Sequence, residues 1–243
     1  MAFYDQLYAC SPTRLGQKMN VRMAQMHWGE ICRFAQDRSS VAEIGPGTGE
    51  FAATCLPIVQ RYQAVDANEH VCRVIRELGG TAVCSFVPPL PFASDSAAIV
   101  YASSVIEHMP DPGKALHLLE EMKRVAQPNG VVVVYAPDIL ACGQHFWNSE
   151  YSHAFPTSRR RLLQMAADAG LVVLCAEYCY GPFCGPVAAA VGAAMRFFPD
   201  GLASVATLGL IEQERFYKTR TALMRSILLI ARKPSPVEGA PGG

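Results

Sequence analysis

The chain has 243 residues, 51% of them hydrophobic and 17% charged, and its 21 basic and 21 acidic residues give a formal net charge of zero. This length and composition predict a single domain with a substantial buried core. The charge balance argues against the cationic surface that neutralises nucleic-acid phosphates, so we expect no DNA or RNA partner. The first residues lack the basic and long apolar segments of a secretory signal, which favours a cytoplasmic protein.

The sequence of residues 1–36 predicts helices ahead of the first strand, because Met19, Met23 and Met26 are spaced so that they share one face of a helix. From residue 41 onward, segments typical of strands alternate with segments typical of helices. The predicted strands cover residues 41–44, 62–65, 81–84, 97–101, 131–134, 171–178 and 226–231. The predicted helices cover residues 50–58, 69–78, 112–126 and 158–169. This alternation is typical of an open α/β sheet whose apolar strands are buried on both faces, and the breaker sequence at 127–130 separates a helix from the next strand.

An unusually apolar stretch lies between the last two predicted strands. In residues 181–210 only Arg196 and Asp200 are charged, and the stretch predicts two short helices, neither long enough to span a bilayer. Packing onto the domain, a lid over a substrate pocket, a homodimer contact and a peripheral membrane surface at 186–210 are open alternatives. We therefore predict one domain over residues 1–232, with a helical cap at 1–36 and an insert at 181–217. The Pro- and Gly-rich tail at 233–243 is expected to be disordered.

The nine cysteines are scattered through the predicted strands and helices and predict reduced, mostly buried thiols. The spacing of Cys175, Cys179 and Cys184 matches neither a zinc site nor an iron–sulfur loop. We therefore predict no metal site.

Three glycines, Gly45, Gly47 and Gly49, lie between an apolar strand and a helix. Such a position lets the chain turn sharply and lets the backbone approach a ligand. The next predicted strand is followed by Asp66, at a place where a carboxylate can accept hydrogen bonds from the two hydroxyls of a ribose. The loop and the acid together predict a cofactor that contains adenosine.

The acidic residues beside this loop distinguish between two such cofactors. Glu50 stands at the start of the following helix, where a dinucleotide would place its pyrophosphate, and Glu43 lies just before the loop. The glycine spacing G-x-G-x-G also differs from the dinucleotide pattern G-x-G-x-x-G. Two carboxylates suit the ammonium and sulfonium of S-adenosylmethionine and repel phosphates, so a nicotinamide-dependent oxidoreductase is the alternative and not the preferred reading.

The segment from Val41 to Glu50 resembles motif I of class I S-adenosylmethionine-dependent methyltransferases. The segments Leu90-Pro-Phe92 and Ser103 to Pro112 are similar to the "LPF…SxVLEHxPDP" region of the small-molecule group, which includes the ubiquinone- and menaquinone-pathway methyltransferases. The resemblance implies a Rossmann-like α/β fold, with a seven-stranded, mostly parallel sheet, an antiparallel last strand, N-terminal helices and a helical insert before that strand. It also implies that the cofactor lies across the carboxyl ends of the first strands.

The resemblance assigns cofactor contacts to individual residues. The glycine loop would cover the methionine part, Asp66 would bind the ribose, and Tyr4 and Tyr8 would cap the cofactor. The acid that this family usually places after the third strand is missing, and we predict that Ser85 and Phe86 contact the adenine instead. The predicted cofactor-binding residues are Tyr8, Glu43, Gly45, Gly47, Gly49, Asp66, Ala67, Ser85, Phe86 and Ser103.

Methyl transfer from a sulfonium is an in-line displacement, so the enzyme's main task is to align the acceptor with the methyl group. Some acceptors must also lose a proton, and we predict His108 and His153 as catalytic residues because histidine titrates near neutral pH. The aromatic composition around His153 predicts a small hydrophobic or aromatic acceptor, with O- or C-methylation favoured. The predicted substrate-binding residues are Glu107, His145, Trp147 and Tyr151. A non-catalytic binding protein on the same scaffold is a further alternative.

Overall fold

The computed structural model describes residues 14–183, 185–196 and 223–235. In these residues seven strands form one sheet. The strands are β1 (Ser40–Ile44), β2 (Arg61–Asp66), β3 (Thr81–Cys84), β4 (Ala97–Ser103), β5 (Ala126–Pro137), β6 (Val172–Tyr180) and β7 (Arg225–Arg232). The α-helices are α1 (Arg14–Phe34), α2 (Glu50–Cys55), α3 (Glu69–Glu77), α4 (Pro112–Val125), α5 (Ile139–Cys142), α6 (His145–Ser149), α7 (Arg159–Asp168) and α8 (Pro186–Arg196).

The strand order is β3-β2-β1-β4-β5-β7-β6. Strands β1 to β5 pair in parallel, and β7 pairs antiparallel with both β5 and β6. The fold is therefore the Rossmann-like, mostly parallel sheet with an antiparallel last strand that the sequence predicts. The order reverses between β1 and β4, and such a reversal separates the loops that follow the two strands.

Hydrophobic side chains bury both faces of the sheet. All five residues of β1 are buried, and its side chains alternate between two core clusters, with Ala42 in one and Val41 in the other. Helices α4 and α7 complete the first cluster, whereas α1 and α2 complete the second. This two-sided burial explains why the strands appear in the sequence as continuous apolar runs.

Two elements, α2 and β5, differ from the sequence-based prediction by three residues or more at a boundary. Helix α2 ends at Cys55, three residues before the predicted end. Strand β5 begins at Ala126, which pairs with Ala97, so the sequence at 127–130 is an irregular start of the strand and not a separator before it. Asn129 supplies a left-handed residue there, with φ of 64°, which allows the chain to rejoin the strand.

Several predictions concern residues outside the described ranges: Tyr4, Tyr8, Cys184, the tail at 236–243 and the part of the insert at 197–222. In the described part of the insert, α8 packs against β6, β7 and α5. It also exposes Val187 and Val191. No helix in the described ranges combines the length and the hydropathy needed to cross a membrane.

Candidate active site

A cavity of about 780 Å³ lies at the carboxyl ends of β1, β2, β4 and β5, where the strand order reverses. In open α/β sheets, ligands bind in the crevice at this position. The volume is within the range of small-molecule sites. Helix α1 forms one wall of the cavity and contributes Met19 and Met23 from its methionine face.

The cavity has an acidic lining. Among the described residues that line it, five are acidic and none is Lys or Arg. The acidic residues are Glu43, Glu50, Asp66, Glu107 and Glu150. Such a lining favours a cationic ligand and disfavours one that carries phosphates.

The loop after β1 requires glycine for two different reasons: a Cβ atom at Gly45 would clash with Val105, and the lack of one at Gly47 leaves open space beside the cavity. Gly45 has φ of +66°, and a Cβ atom there would lie 2.7 Å from Cγ2 of Val105. Gly47 has φ of +55°, lines the cavity, and has no atom within 4 Å of an added Cβ. Gly49, with φ of +83°, is the N-cap of α2 and packs near Leu78, and it is not among the described lining residues. Only Gly47 therefore leaves open space that a ligand can approach.

Glu43 is a buried carboxylic acid near the end of β1. The hydroxyl of Tyr62 donates a hydrogen bond to its Oε2 atom. Burial raises the pKa of Glu43 to about 8, and the nearby charges of Glu50 and Asp66 add to this increase. A ligand cation beside Glu43 would favour the ionised carboxylate and thus lower this pKa.

Asp66 ends β2 at the edge of the cavity. The backbone N–H of Asn68 donates to Asp66 Oδ1 over 2.8 Å, and burial raises the pKa of Asp66. The backbone N–H of Ser85 donates to the Asp66 carbonyl, which joins the loops after β2 and β3. Ala67, Ser85 and Phe86 also line the cavity, and the Phe86 side chain is 73% exposed. An acid flanked by an exposed aromatic ring fits a ribose and an adenine.

These features together test whether S-adenosylmethionine fits the cavity. The open space at Gly47 accommodates a close ligand, and Asp66 supplies a carboxylate for a ribose. Glu50 lies where the methionine part would bind, and Glu43 beside it would become a negatively charged partner once a ligand cation favours its ionised form. The groups that line the cavity therefore fit S-adenosylmethionine, the cofactor that the sequence predicts.

His108 and His153 meet at the other end of the cavity, beside Ser103 and Glu107. His108 belongs to a short 3₁₀ turn after β4, and His153 belongs to the loop after α6. Their ring centroids are 5.0 Å apart, and the ring planes are inclined at 63° to each other. In the sequence these histidines lie 45 positions apart, and the fold brings them together.

Glu107 is almost completely buried next to this histidine pair, with 1% of its surface exposed. Burial raises its pKa to about 8, and its Oε2 atom has no hydrogen-bond partner among the described residues. The Glu107 carbonyl accepts hydrogen bonds from the backbone N–H groups of Ala154 and Phe155. These bonds fix the His153 loop to the turn after β4.

The predicted substrate-binding residues lie in different environments. Glu107 lines the cavity, but His145, Trp147 and Tyr151 are not among its described lining residues. Trp147 is 52% exposed and Tyr151 is 75% exposed. A short helix turns only one face toward a cavity, and on α6 that face carries Phe146 and Ser149. Phe146 belongs to the aromatic cluster noted in the sequence, but neither residue is among the predicted substrate-binding residues.

Sequence reasoning also missed aromatic residues of the lining that include His27, Tyr101 and Tyr135. His27 Nδ1 lies 2.6 Å from the Tyr101 hydroxyl, and its ring centroid is 4.5 Å from that of Tyr135. Burial lowers the pKa of His27 to about 3, so the imidazole is neutral. The sequence contains one indication that His27 has a special role: it is a polar residue on the apolar face of α1, between Ala24 and Ile31.

Residues 42–134 match the sequence family Methyltransf_11, a methyltransferase domain. Over 97 residues the chain is 35% identical to an uncharacterized methyltransferase of Mycobacterium sp. (strain KMS), a match that covers 39% of this chain and 37% of that protein. The chain therefore matches little more than a third of the length of this curated relative.

Solved structures share the fold over most of the chain. The N-methyltransferase NodS from Bradyrhizobium japonicum WM9, in complex with S-adenosylhomocysteine, has a TM-score of 0.63 at 14% identity, over 96% of this chain and 98% of that one. Geranyl diphosphate methyltransferase in complex with S-adenosylmethionine has a TM-score of 0.59 at 15% identity, over 86% of this chain and 85% of that one. The family match thus covers residues 42–134, and the solved structures share the fold of this chain.

Proposed function

We propose that this chain is an S-adenosylmethionine-dependent methyltransferase that acts on a small acceptor whose reacting group lies beside His108 and His153. One observation carries this proposal. A single cavity connects the acid-flanked glycine loop and Asp66 with the buried cluster of Glu107 and the two histidines. A cofactor held at the first end would direct its reactive group toward the second.

S-adenosylmethionine, when bound, supplies a methyl group on a positively charged sulfur that leaves as a neutral thioether. The residues of this chain bind and orient the cofactor and the acceptor, and they exclude water from the reacting groups. Glu43 holds the methionine part of the cofactor and Asp66 holds the ribose, and α1 with Phe51 and Tyr101 closes the cavity from one side. The ring centroids of Phe51 and Tyr101 are 3.9 Å apart in a stacked arrangement, so the two rings pack against each other in this wall.

The acceptor end suits a small molecule with an apolar body. Met19, Met23, Cys142 and Phe146 contribute apolar surface to the lining, whereas polar groups concentrate at the histidine pair. Such an arrangement favours an acceptor with one polar reacting group, which supports O- or C-methylation by an enzyme of the small-molecule group. His108 or His153 would accept the proton of a hydroxyl acceptor.

The proposal is tested by methyl transfer from isotopically labelled S-adenosylmethionine to a panel of phenols, quinols and hydroxy acids under single-turnover conditions. His108→Ala and His153→Ala are expected to slow transfer by about 10²–10⁴-fold if the acceptor must lose a proton. His117→Ala, on α4 and outside the described cavity lining, is the matched control and should be unaffected. Equal rates in all three variants would contradict the role of the histidine pair.

A further inference from the structure

Four side chains converge at the acceptor end of the cavity: Glu107, His108, Glu150 and His153. We propose that they form a binding site for a divalent transition-metal ion, with two imidazole nitrogens and carboxylate oxygens as ligands. Imidazole and carboxylate together suit ions such as Mn²⁺, Fe²⁺ and Zn²⁺. This inference replaces the sequence-based prediction that the chain has no metal site, which considered only the cysteines.

The distances in the cluster suit ligands of one ion. Glu107, His108 and His153 each offer a ligand atom within 4.8 Å of the others. The two carboxylate oxygens of Glu150 lie 4.0 Å from His108 Nε2 and 4.0 Å from His153 Nε2, respectively. A separation of 4.0 Å is too long for a hydrogen bond. Because metal–ligand bonds are about 2.0–2.2 Å, two ligands of one ion lie roughly 3–4.4 Å apart. Both 4.0 Å separations to Glu150 fall in this range, and the 4.8 Å limit for the other three atoms lies close to it.

Hydrogen bonds to the opposite ring nitrogens fix the orientation of both imidazoles. His153 Nδ1 lies 2.7 Å from the carbonyl oxygen of Phe146. A carbonyl oxygen only accepts, so Nδ1 carries the proton and Nε2 presents its lone pair to the cluster. This is the arrangement by which metal-binding histidines are held in proteins.

His108 is oriented in the same way through a serine. Its Nδ1 atom lies 2.9 Å from the Ser152 hydroxyl, and that hydroxyl donates its hydrogen to Glu150 Oε1 over 3.1 Å. Because the single hydroxyl hydrogen is used, the Ser152 oxygen accepts from His108 Nδ1–H. His108 Nε2 therefore also presents a lone pair, and Glu150 is held beside it.

Glu107 provides an independent indication of a ligand. Its side chain is almost fully buried, and its Oε2 atom lacks a hydrogen-bond partner among the described residues. A buried carboxylate oxygen without a partner is costly, and a bound cation would remove that cost. The described cavity lining has no Lys or Arg that could serve instead.

The site would bind the ion through side chains of two chain segments that the fold joins. Glu107 and His108 follow β4, Glu150 and His153 follow α6, and backbone hydrogen bonds from residues 154 and 155 to Glu107 hold the segments together. An ion with further coordination positions open to the cavity would bind an oxygen atom of the acceptor and lower the pKa of its hydroxyl. With the ion bound, His108 and His153 would act as its ligands and would no longer be the groups that accept the hydroxyl proton. This last step rests on the proposed function, whereas metal binding itself does not.

The test is a titration of the metal-stripped full chain with Mn²⁺, in which free Mn²⁺ is measured by electron paramagnetic resonance. We expect one saturable site per chain with micromolar affinity. Glu107→Gln and His153→Ala should each weaken binding by about tenfold or more, whereas His117→Ala should bind like the wild type. Glu107→Gln keeps the size of the side chain, and circular dichroism with S-adenosylhomocysteine binding verifies that each variant is folded.

A parallel titration with Co²⁺ reports the ligands directly, because its visible absorption spectrum depends on the coordinating atoms. The proposal is overturned if the wild type shows no saturable binding of Mn²⁺, Co²⁺ or Zn²⁺ below millimolar concentration, or if all variants retain equal affinity. Metal binding without S-adenosylhomocysteine binding would contradict the proposed function alone. The reverse result would contradict the metal site alone.

Discussion

Alanine substitutions at Gly45 and Gly47 should separate the two requirements of the glycine loop. Both glycines have left-handed backbone angles, so either substitution costs about 1–2 kcal/mol of conformational energy. At Gly45 the new Cβ would also lie 2.7 Å from Val105 Cγ2, and inserting a methyl group into packed surroundings costs a further ~1–3 kcal/mol. We therefore expect Gly45→Ala to lower the free energy of unfolding by about 2–5 kcal/mol, and Gly47→Ala by about 1–2 kcal/mol.

The assay combines thermal unfolding with calorimetric titration of S-adenosylhomocysteine. For a chain of this length, 1 kcal/mol corresponds to a change in Tm of about 2–4 °C, so Gly47→Ala should lower Tm by about 2–8 °C and Gly45→Ala by more. Gly47→Ala should nevertheless weaken ligand binding by about tenfold or more, because its methyl group would occupy cavity space that the backbone leaves open.

A double-mutant cycle with Val105→Ala identifies the cause of the Gly45 effect. If contact with the valine is responsible, shortening it should restore about 0.5–3 kcal/mol in the double variant relative to the sum of the single effects. Equal destabilisation by the two glycine variants, together with additive behaviour at Val105, would refute this account of the loop.

Three further predictions concern buried polar groups. Glu43→Gln should weaken S-adenosylmethionine binding by about 10–100-fold, as expected for a lost charged hydrogen bond. In the wild type, affinity should rise with pH until the pH exceeds the Glu43 pKa of about 8, because the ionised carboxylate binds the cationic ligand. Calorimetry over a pH series should show this rise in the wild type and not in Glu43→Gln. Asp138→Ala should lower the free energy of unfolding by about 3–5 kcal/mol in a denaturant titration, because the fully buried carboxylate lies 2.7 Å from Arg225 Nη2. A loss below about 1 kcal/mol, which is typical of a surface ion pair, would contradict this prediction. His27→Ala leaves the buried Tyr101 hydroxyl without its imidazole partner and should cost about 1–3 kcal/mol, and combining it with Tyr101→Phe should recover part of that loss.

The sequence predicted the sheet because its strands are buried on both faces and its helices have well-marked starts. Asn68, Asp111 and Ser158 each accept a hydrogen bond from a backbone N–H two or three residues later, at the start of α3, α4 and α7. Such caps are local interactions, so they can be recognised without tertiary information. The start of β5 depends instead on the pairing of Ala126 with Ala97, which a local pattern does not contain.

The candidate site also combines features that follow from local sequence and fold class with features that depend on tertiary packing. The glycine loop, Glu43 and Asp66 follow neighbouring strands, so the fold class alone predicts that they meet at one edge of the sheet. By contrast, the place of His27 in the cavity depends on how α1 crosses the sheet. The orientation of His153, which lies in an irregular loop, depends on the carbonyl of Phe146 in α6, and no periodicity in the sequence encodes this contact.

The aromatic residues after β5 show why composition predicted the acceptor end incompletely. A cluster of aromatic residues indicated an apolar pocket, and Phe146 does line the cavity. Composition does not reveal which side of a short helix faces inward, and Trp147 is half exposed. Which of these residues contacts an acceptor remains a prediction.

The central claim is that the acidic cavity binds S-adenosylmethionine and not a dinucleotide. Calorimetric titration with S-adenosylhomocysteine and with NADH tests this claim most directly. We expect saturable, micromolar binding of S-adenosylhomocysteine, weakened by about tenfold or more in Asp66→Ala, and no binding of NADH. Binding of NADH by a protein that does not bind S-adenosylhomocysteine would contradict the claim.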